Sequence, residues 1–82
     1  MTEVNQRIAE IVGRFLSKNG FVKKDEFFLS DKCSIQVCNE YYAVKYKAGE
    51  EYFEWFSNDL LIYTLIGFLT YNGLMDKNYV SN

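Results

Sequence analysis

Apolar residues near the N-terminus recur every three or four positions. They are Val4, Ile8, Ile11, Val12, Phe15 and Leu16. This spacing predicts an amphipathic α-helix that buries one side. Thr2 is placed to cap its start, and Asn19–Gly20 supplies the left-handed residue with which such helices end. Because glycine is unfavourable inside a helix, we interpret Gly13 as a mark of close packing.

Between Phe21 and Phe56 apolar and polar residues alternate, as in half-buried β-strands. Two-residue turns at Asn39–Glu40 and Gly49–Glu50 give one consistent antiparallel register. The pairs predicted on the core face are Val37 with Tyr42, Ile35 with Val44, Cys33 with Tyr46, Tyr46 with Phe53, and Val44 with Trp55. The opposite side of the sheet, here called the outer face, then pairs Lys45 with Glu54.

The strand before Cys33 is predicted to join this sheet through a three-residue connection, 30–32. This connection places Leu29 beside Cys33 and Phe27 beside Ile35 on the core face, and it leaves Phe28 on the outer face. A slip of one residue would invert the strand. Residues 39–40 also fit a bulge within one long strand, so the sequence predicts three to four strands.

A second helix follows the strands, with Ser57, Asn58 or Asp59 as N-cap and Asn72–Gly73 at its end. Its wide apolar arc consists of Leu61, Ile62, Leu65, Ile66, Phe68 and Leu69. This arc indicates a helix that is buried on most sides. We expect residues 74–82 to form a loose C-terminal tail unless Leu74, Met75 and Tyr79 pin it.

The opposite side of the second helix is weakly polar and carries no charge. Tyr63, Gly67 and Thr70 lie on that side. A small residue beside a threonine allows close helix approach, so a second hypothesis is that this side contacts the first helix or another subunit.

These elements predict a single α+β domain over residues 1–82. Its order is helix, antiparallel β-meander of three to four strands, helix. We expect both helices on one face of the sheet, which leaves the outer face open. The alternative, with one helix on each face, would cover the outer face.

Charge and residue types exclude several functions. Nine basic and eleven acidic residues give a net charge of −2, which opposes a large nucleic-acid surface. The densest acidic stretch, residues 50–59, lacks any histidine nearby, so we expect no metal site. The sequence has no histidine base, no glycine-rich phosphate loop and no evident activated nucleophile. We therefore expect no cofactor and no enzymatic activity.

Cys33 and Cys38 are predicted to point to opposite faces of one strand, so they cannot bond each other without breaking it. We expect reduced thiols. No basic and apolar leader opens the chain, and a cytoplasmic location is the expectation.

The order helix, strands, helix resembles the topology of double-stranded RNA-binding domains. Those domains place a lysine cluster at the start of the last helix, where this chain has the residues of 58–62, none of them basic. The resemblance therefore extends to topology and not to nucleic-acid binding.

The outer face is the predicted functional surface. Its predicted residues are Phe28, Tyr41, Tyr52, Phe56, Lys45 and Glu54. Exposed aromatic clusters are typical of protein interfaces. We expect a small, soluble, non-catalytic interaction module with an unknown protein partner, or a homo-oligomer. The alternatives are an acidic decoy that inhibits a nucleic-acid-binding protein and a single-strand nucleic-acid binder that stacks bases on aromatic rings.

Overall fold

The computed structural model describes residues 3–80, which form a helix, five strands and a second helix. The elements are α1 Glu3–Lys18, β1 Val22–Lys24, β2 Phe27–Leu29, β3 Cys33–Val37, β4 Tyr42–Ala48, β5 Glu51–Ser57 and α2 Ile62–Tyr71. The strands form one antiparallel sheet in chain order. This confirms the α+β class, with one strand more than expected. Thr2, the predicted N-cap of α1, lies outside the described residues.

Each pair of neighbouring strands is joined by a two-residue turn. The turns are Asp25–Glu26, Asp31–Lys32, Asn39–Glu40 and Gly49–Glu50. The first turn divides what the sequence indicated as one strand into β1 and β2, and Asp25 adopts the left-handed φ of 58° there. The third turn is closed by the Cys38 backbone N–H, which donates to the Tyr41 carbonyl at 2.9 Å. The alternative of a bulge in one long strand is therefore wrong, and every pair predicted for β3, β4 and β5 is confirmed.

The register of β2 differs from the prediction by one residue. The Ser30 hydroxyl accepts the backbone N–H groups of Lys32 at 3.2 Å and Cys33 at 3.3 Å. The Ser30 N–H in turn donates to the Cys33 carbonyl at 3.0 Å. Ser30 and Cys33 thus close a two-residue turn where a three-residue connection was expected.

This shift inverts β2, since adjacent strand residues point to opposite faces. Phe28 pairs with Ile35 and is 5% exposed in the core, so its predicted place on the outer face was wrong. Phe27 and Leu29 lie on the outer face instead, paired with Gln36 and Ser34.

Side chains of both helices pack on the same face of the sheet. Val12 and Leu16 of α1 are fully buried with the sheet residue Ile35. From α2, Phe68 stacks on Trp55 with ring centroids 4.1 Å apart. The expectation of both helices on one face is confirmed, and no helix of residues 3–80 covers the outer face.

Helix α2 begins at Ile62, later than the predicted caps allow. Its first turn is nevertheless tied to Asp59, whose carboxylate accepts the Leu61 N–H at 3.0 Å and the Thr64 hydroxyl at 2.8 Å. These two hydrogen bonds lower the pKa of Asp59. At the other end, Leu74 N–H donates to the Leu69 carbonyl at 2.8 Å, as the predicted Schellman ending requires.

Residues 74–80 pack against the domain, so the prediction of a loose tail was wrong for them. Leu74 and Met75 are buried in the core. The Tyr79 ring meets Phe15 edge-on at 5.4 Å. Asn19 accepts the Val80 N–H at 2.6 Å and donates to the Val80 carbonyl at 2.8 Å. Residues 81–82 lie outside the described part of the chain.

Candidate functional site

The outer face is an open surface of aromatic, aliphatic and paired charged side chains. Its apolar residues are Val22, Phe27, Leu29, Tyr41, Tyr52 and Phe56. Val22, Tyr52 and Phe56 are 67%, 80% and 59% exposed. The two-residue turns place these side chains on one side, because each turn preserves the alternation from one strand to the next.

The centre of the outer face is a tight cluster around Ala43. Tyr41 and Phe56 lie with ring centroids 6.1 Å apart. Ala43 pairs with Gln36 on one side and Phe56 on the other. Ala43 is only 3% exposed, since its larger neighbours close over it. The cluster is therefore a packed apolar floor with the Phe56 ring in solvent.

Three charged side chains of the outer face each lie beside a complementary neighbour. Lys45 lies directly across from Glu54. The Lys47 ammonium sits 5.5 Å from the centroid of the Tyr52 ring, within the range of a cation–π contact. The Glu26 carboxylate accepts a hydrogen bond from the Gln36 amide. These pairs give a mixed polar rim and no field of a single sign.

The two cysteines have different environments and are both free. Cys33 is buried in the core, and burial raises the pKa of its thiol, which makes it a poor nucleophile. Cys38 is the residue before the β3–β4 turn, and strand alternation places its side chain on the outer face. A side-chain hydrogen bond with Cys38 raises the pKa of Tyr41, and the negative charges of Glu26 and Glu54 act in the same direction.

The structure brings five of the six predicted outer-face residues together. Tyr41, Tyr52, Phe56, Lys45 and Glu54 share this surface. The sixth, Phe28, is in the core, and Val22, Phe27 and Leu29 were missed. The sequence feature that could have placed them on the outer face was Ser30, because a serine before a two-residue turn can accept the backbone N–H groups of that turn.

Tyr63, Gly67 and Thr70 were predicted to contact α1 or another subunit, and within residues 3–80 the contact of the Gly67 side with α1 does not form. A β-carbon built at Gly67 meets nothing within 4 Å, so this side does not contact α1. Tyr63 is 77% exposed. The Thr70 hydroxyl donates to the Ile66 carbonyl of its own helix at 2.8 Å. Contact of these residues with another subunit stays a prediction.

A groove of about 570 Å³ lies between the two helices, and no sequence pattern predicted it. Its apolar lining consists of Ile11, Phe15, Ile62, Tyr63, Ile66, Tyr79 and Val80. Tyr79 reaches it from the packed C-terminal segment. The groove is a second exposed apolar surface, on the side of the molecule opposite to the outer face.

Groups for metal binding are not assembled in the described part of the chain. Across residues 3–80 no group of three or more His, Cys, Asp or Glu side chains is arranged to hold a metal ion. The acidic stretch is dispersed: Glu51 and Glu54 point to opposite faces of the sheet, and Asp59 is occupied at the start of α2. No helix within the same range has the length and apolar character needed to cross a membrane.

Comparison with known proteins gives no relative from which a function can be transferred. No protein-family model, no curated protein and no solved structure matches the chain. A function for this chain is therefore inferred from the geometry of the outer face.

Proposed function

We propose that this chain is a non-catalytic protein-interaction module that binds another protein through its outer face. The observation that supports this proposal is the position of both helices on the other side of the sheet. Their absence from the outer face leaves Val22, Tyr52 and Phe56 in solvent. Large exposed apolar patches tend to be interaction sites.

The layout of the outer face matches the anatomy of a protein interface. Its centre is the packed cluster of Tyr41, Ala43 and Phe56, and aromatic residues are enriched in interface centres. The Lys45–Glu54 pair lies beside it as polar rim. A partner that covers the centre gains apolar burial, while the paired charges set orientation and association rate more than affinity.

The two nucleic-acid alternatives have less support. An acidic decoy needs a continuous negative surface, and the sheet separates Glu51 from Glu54. A single-strand binder needs a basic surround for its stacking rings, and Lys45 is paired with Glu54. For location we propose the cytoplasm, which fits two free cysteines, because thiols stay reduced in that compartment.

A pair of substitutions on the outer face tests the proposal. Leu29→Ser with Tyr41→Ala removes apolar surface and leaves β5 unchanged. We expect partners captured by the wild-type chain from its native lysate to be lost with this variant, while circular dichroism shows an intact fold. Binding should persist from low to physiological salt, since screening weakens charge-driven complexes far more than aromatic ones.

A matched control makes the same kind of change on the helical side, one aliphatic residue to serine and one tyrosine to alanine. Ile11→Ser with Tyr63→Ala alters the groove between α1 and α2. We expect this control to retain the captured partners. Loss of partners with the control and retention with the outer-face variant would overturn the proposal in favour of the groove.

A further inference from the structure

The two edges of the sheet differ in their capacity to pair with another strand. Strand β1 has three residues and carries Lys23 and Lys24, and short, lysine-bearing edges resist pairing. Strand β5 has seven residues, contains neither lysine nor proline, and pairs with β4 without a bulge. Among residues 3–80, its protection against pairing is limited to the charges of Glu51 and Glu54.

The backbone of β5 presents hydrogen-bonding groups at this edge. The turn at Gly49–Glu50 closes on the pair of Ala48 and Glu51, and hydrogen-bonded pairs alternate along an antiparallel ladder from there. Glu51, Phe53, Trp55 and Ser57 thus bond to β4. The N–H and C=O groups of Tyr52, Glu54 and Phe56 point away from the sheet, where an extended strand can replace water as the partner of them all.

Aromatic residues lie one and two positions on either side of Glu54 in the sequence of β5. Phe53 and Trp55 flank Glu54 on the core-face side, and Tyr52 and Phe56 flank it on the outer face. When two identical strands pair antiparallel about a two-fold axis, each residue before the axis meets the residue equally far beyond it, so these two residues must be complementary. With Glu54 on the axis, aromatic residues meet aromatic residues on both sides of the joined sheets.

We propose that β5 pairs antiparallel with β5 of a second copy of this chain, in the register centred on Glu54. Tyr52 then lies opposite Phe56 of the partner subunit, and Phe53 lies opposite Trp55 of the partner subunit. Aromatic pairs opposite each other stabilise antiparallel strands. The result is a closed dimer with a continuous sheet, whereas β5 pairing with the short β1 edge would leave further edges free and would not close.

The charges at the dimer axis determine how a substitution of Glu54 changes the stability of the dimer. Glu54 lies opposite Glu54 of the partner subunit, and like charges directly opposite are destabilising. Within each copy Lys45 is directly across from Glu54, which offsets part of this repulsion. Removing the charge of Glu54 should therefore strengthen the dimer, while removing its backbone N–H should abolish it.

The inference does not depend on the proposed function, because it concerns the edge of β5 and the other concerns the outer face. Leu29→Ser with Tyr41→Ala leaves β5 intact, so that variant should still dimerise. Loss of partner binding without loss of dimerisation, or the reverse, assigns a failure to one proposal alone.

The experiment compares two substitutions at one position. The mass of the wild-type chain is measured by light scattering from about 1 μM to about 1 mM, and we expect a dimer. Glu54→Pro removes the outward N–H together with the charge, without removing a hydrogen bond to β4, and should give a folded monomer. Glu54→Gln should lower the dissociation constant about threefold or more. A monomer throughout this range, or a Glu54→Gln variant that dimerises no more tightly, overturns the proposal.

Amide hydrogen exchange decides the matter if Glu54→Pro fails to fold. In the wild-type dimer the amides of Tyr52, Glu54 and Phe56 should exchange at least about tenfold more slowly than in the diluted monomer. A dimer in which these three amides exchange as fast as in the monomer would place the interface elsewhere and overturn the proposal.

Discussion

Gly13 of α1 lies against the ring of Phe28, so closely that a β-carbon at position 13 would sit 2.9 Å from the Cζ atom of Phe28. Carbon atoms in contact prefer separations of about 3.5–4.0 Å. Only glycine therefore allows α1 to approach β2 at this distance with Phe28 in its present position. The sequence-based interpretation of Gly13 as a mark of close packing is confirmed.

Gly13→Ala should lower the free energy of unfolding by about 1 kcal/mol. Overpacking costs about 1–3 kcal/mol, and the better helix propensity of alanine offsets up to about 1 kcal/mol of it. Urea unfolding measures the difference. Gly67→Ala is the matched control, since a β-carbon there meets nothing within 4 Å, and it should stabilise the fold by up to about 1 kcal/mol. Equal stabilisation by both alanines would contradict the packing argument.

Phe28→Ala and Phe27→Ala should differ widely in their effect on stability. Phe28 is buried against Ile35, and truncation of a core phenylalanine costs about 3–5 kcal/mol. Phe27 lies on the outer face beside Gln36, and its truncation should cost about 1 kcal/mol. Thermal and urea unfolding of both variants test the register of β2. If Phe27→Ala were the more destabilising variant, the predicted three-residue connection before Cys33 would be correct and the observed register would be wrong.

Asn19→Ala should destabilise the chain by about 1 kcal/mol more than Asn72→Ala. Both asparagines precede a glycine and donate to the carbonyl four residues before, Asn19 to Phe15 at 2.8 Å and Asn72 to Phe68 at 2.9 Å. Asn19 alone also binds both backbone groups of Val80. Urea unfolding gives the stabilities, and the Val80 amide should exchange faster only in Asn19→Ala. Unchanged exchange at Val80 would show that Asn19 does not hold the C-terminal segment.

Tyr42→Phe should destabilise the fold at neutral pH and matter less at high pH. The Tyr42 hydroxyl donates to the Leu60 carbonyl, and a lost hydrogen bond costs about 1 kcal/mol. Burial, and secondarily the charge of Asp59, raises the pKa of Tyr42 from 10.0 to about 12. The neutral phenol therefore stabilises the fold fully below pH 10, and this contribution is lost as the pH rises from 10 to about 12.

Stability measured from pH 8 to about pH 12 for both chains tests the effect of Tyr42. Phenylalanine does not titrate, so the gap between the variant and the wild type should shrink across this range. A gap that stays constant would show that Tyr42 does not lose its stabilising contribution on deprotonation.

The sequence by itself determined the register of β3, β4 and β5, including the pair of Lys45 and Glu54. It also determined the Schellman ending of α2 at Gly73. These features depend on residues a few positions apart: alternation assigns each side chain to a face, and a two-residue turn leaves one register in which the apolar faces coincide. Most of the candidate site followed from the same local rules, because Tyr41, Tyr52 and Phe56 all lie on those strands.

The tertiary structure decided the features that depend on distant contacts or on a single hydrogen bond. The Ser30 hydroxyl shortened one turn by a residue and moved Phe28 into the core in place of Phe27 and Leu29. The bond from Asn19 to Val80 joins residues 61 positions apart, which no local pattern reveals. Which face of the sheet stayed open was likewise settled only when both helices packed, because burial is a property of the assembled layers and not of any one segment.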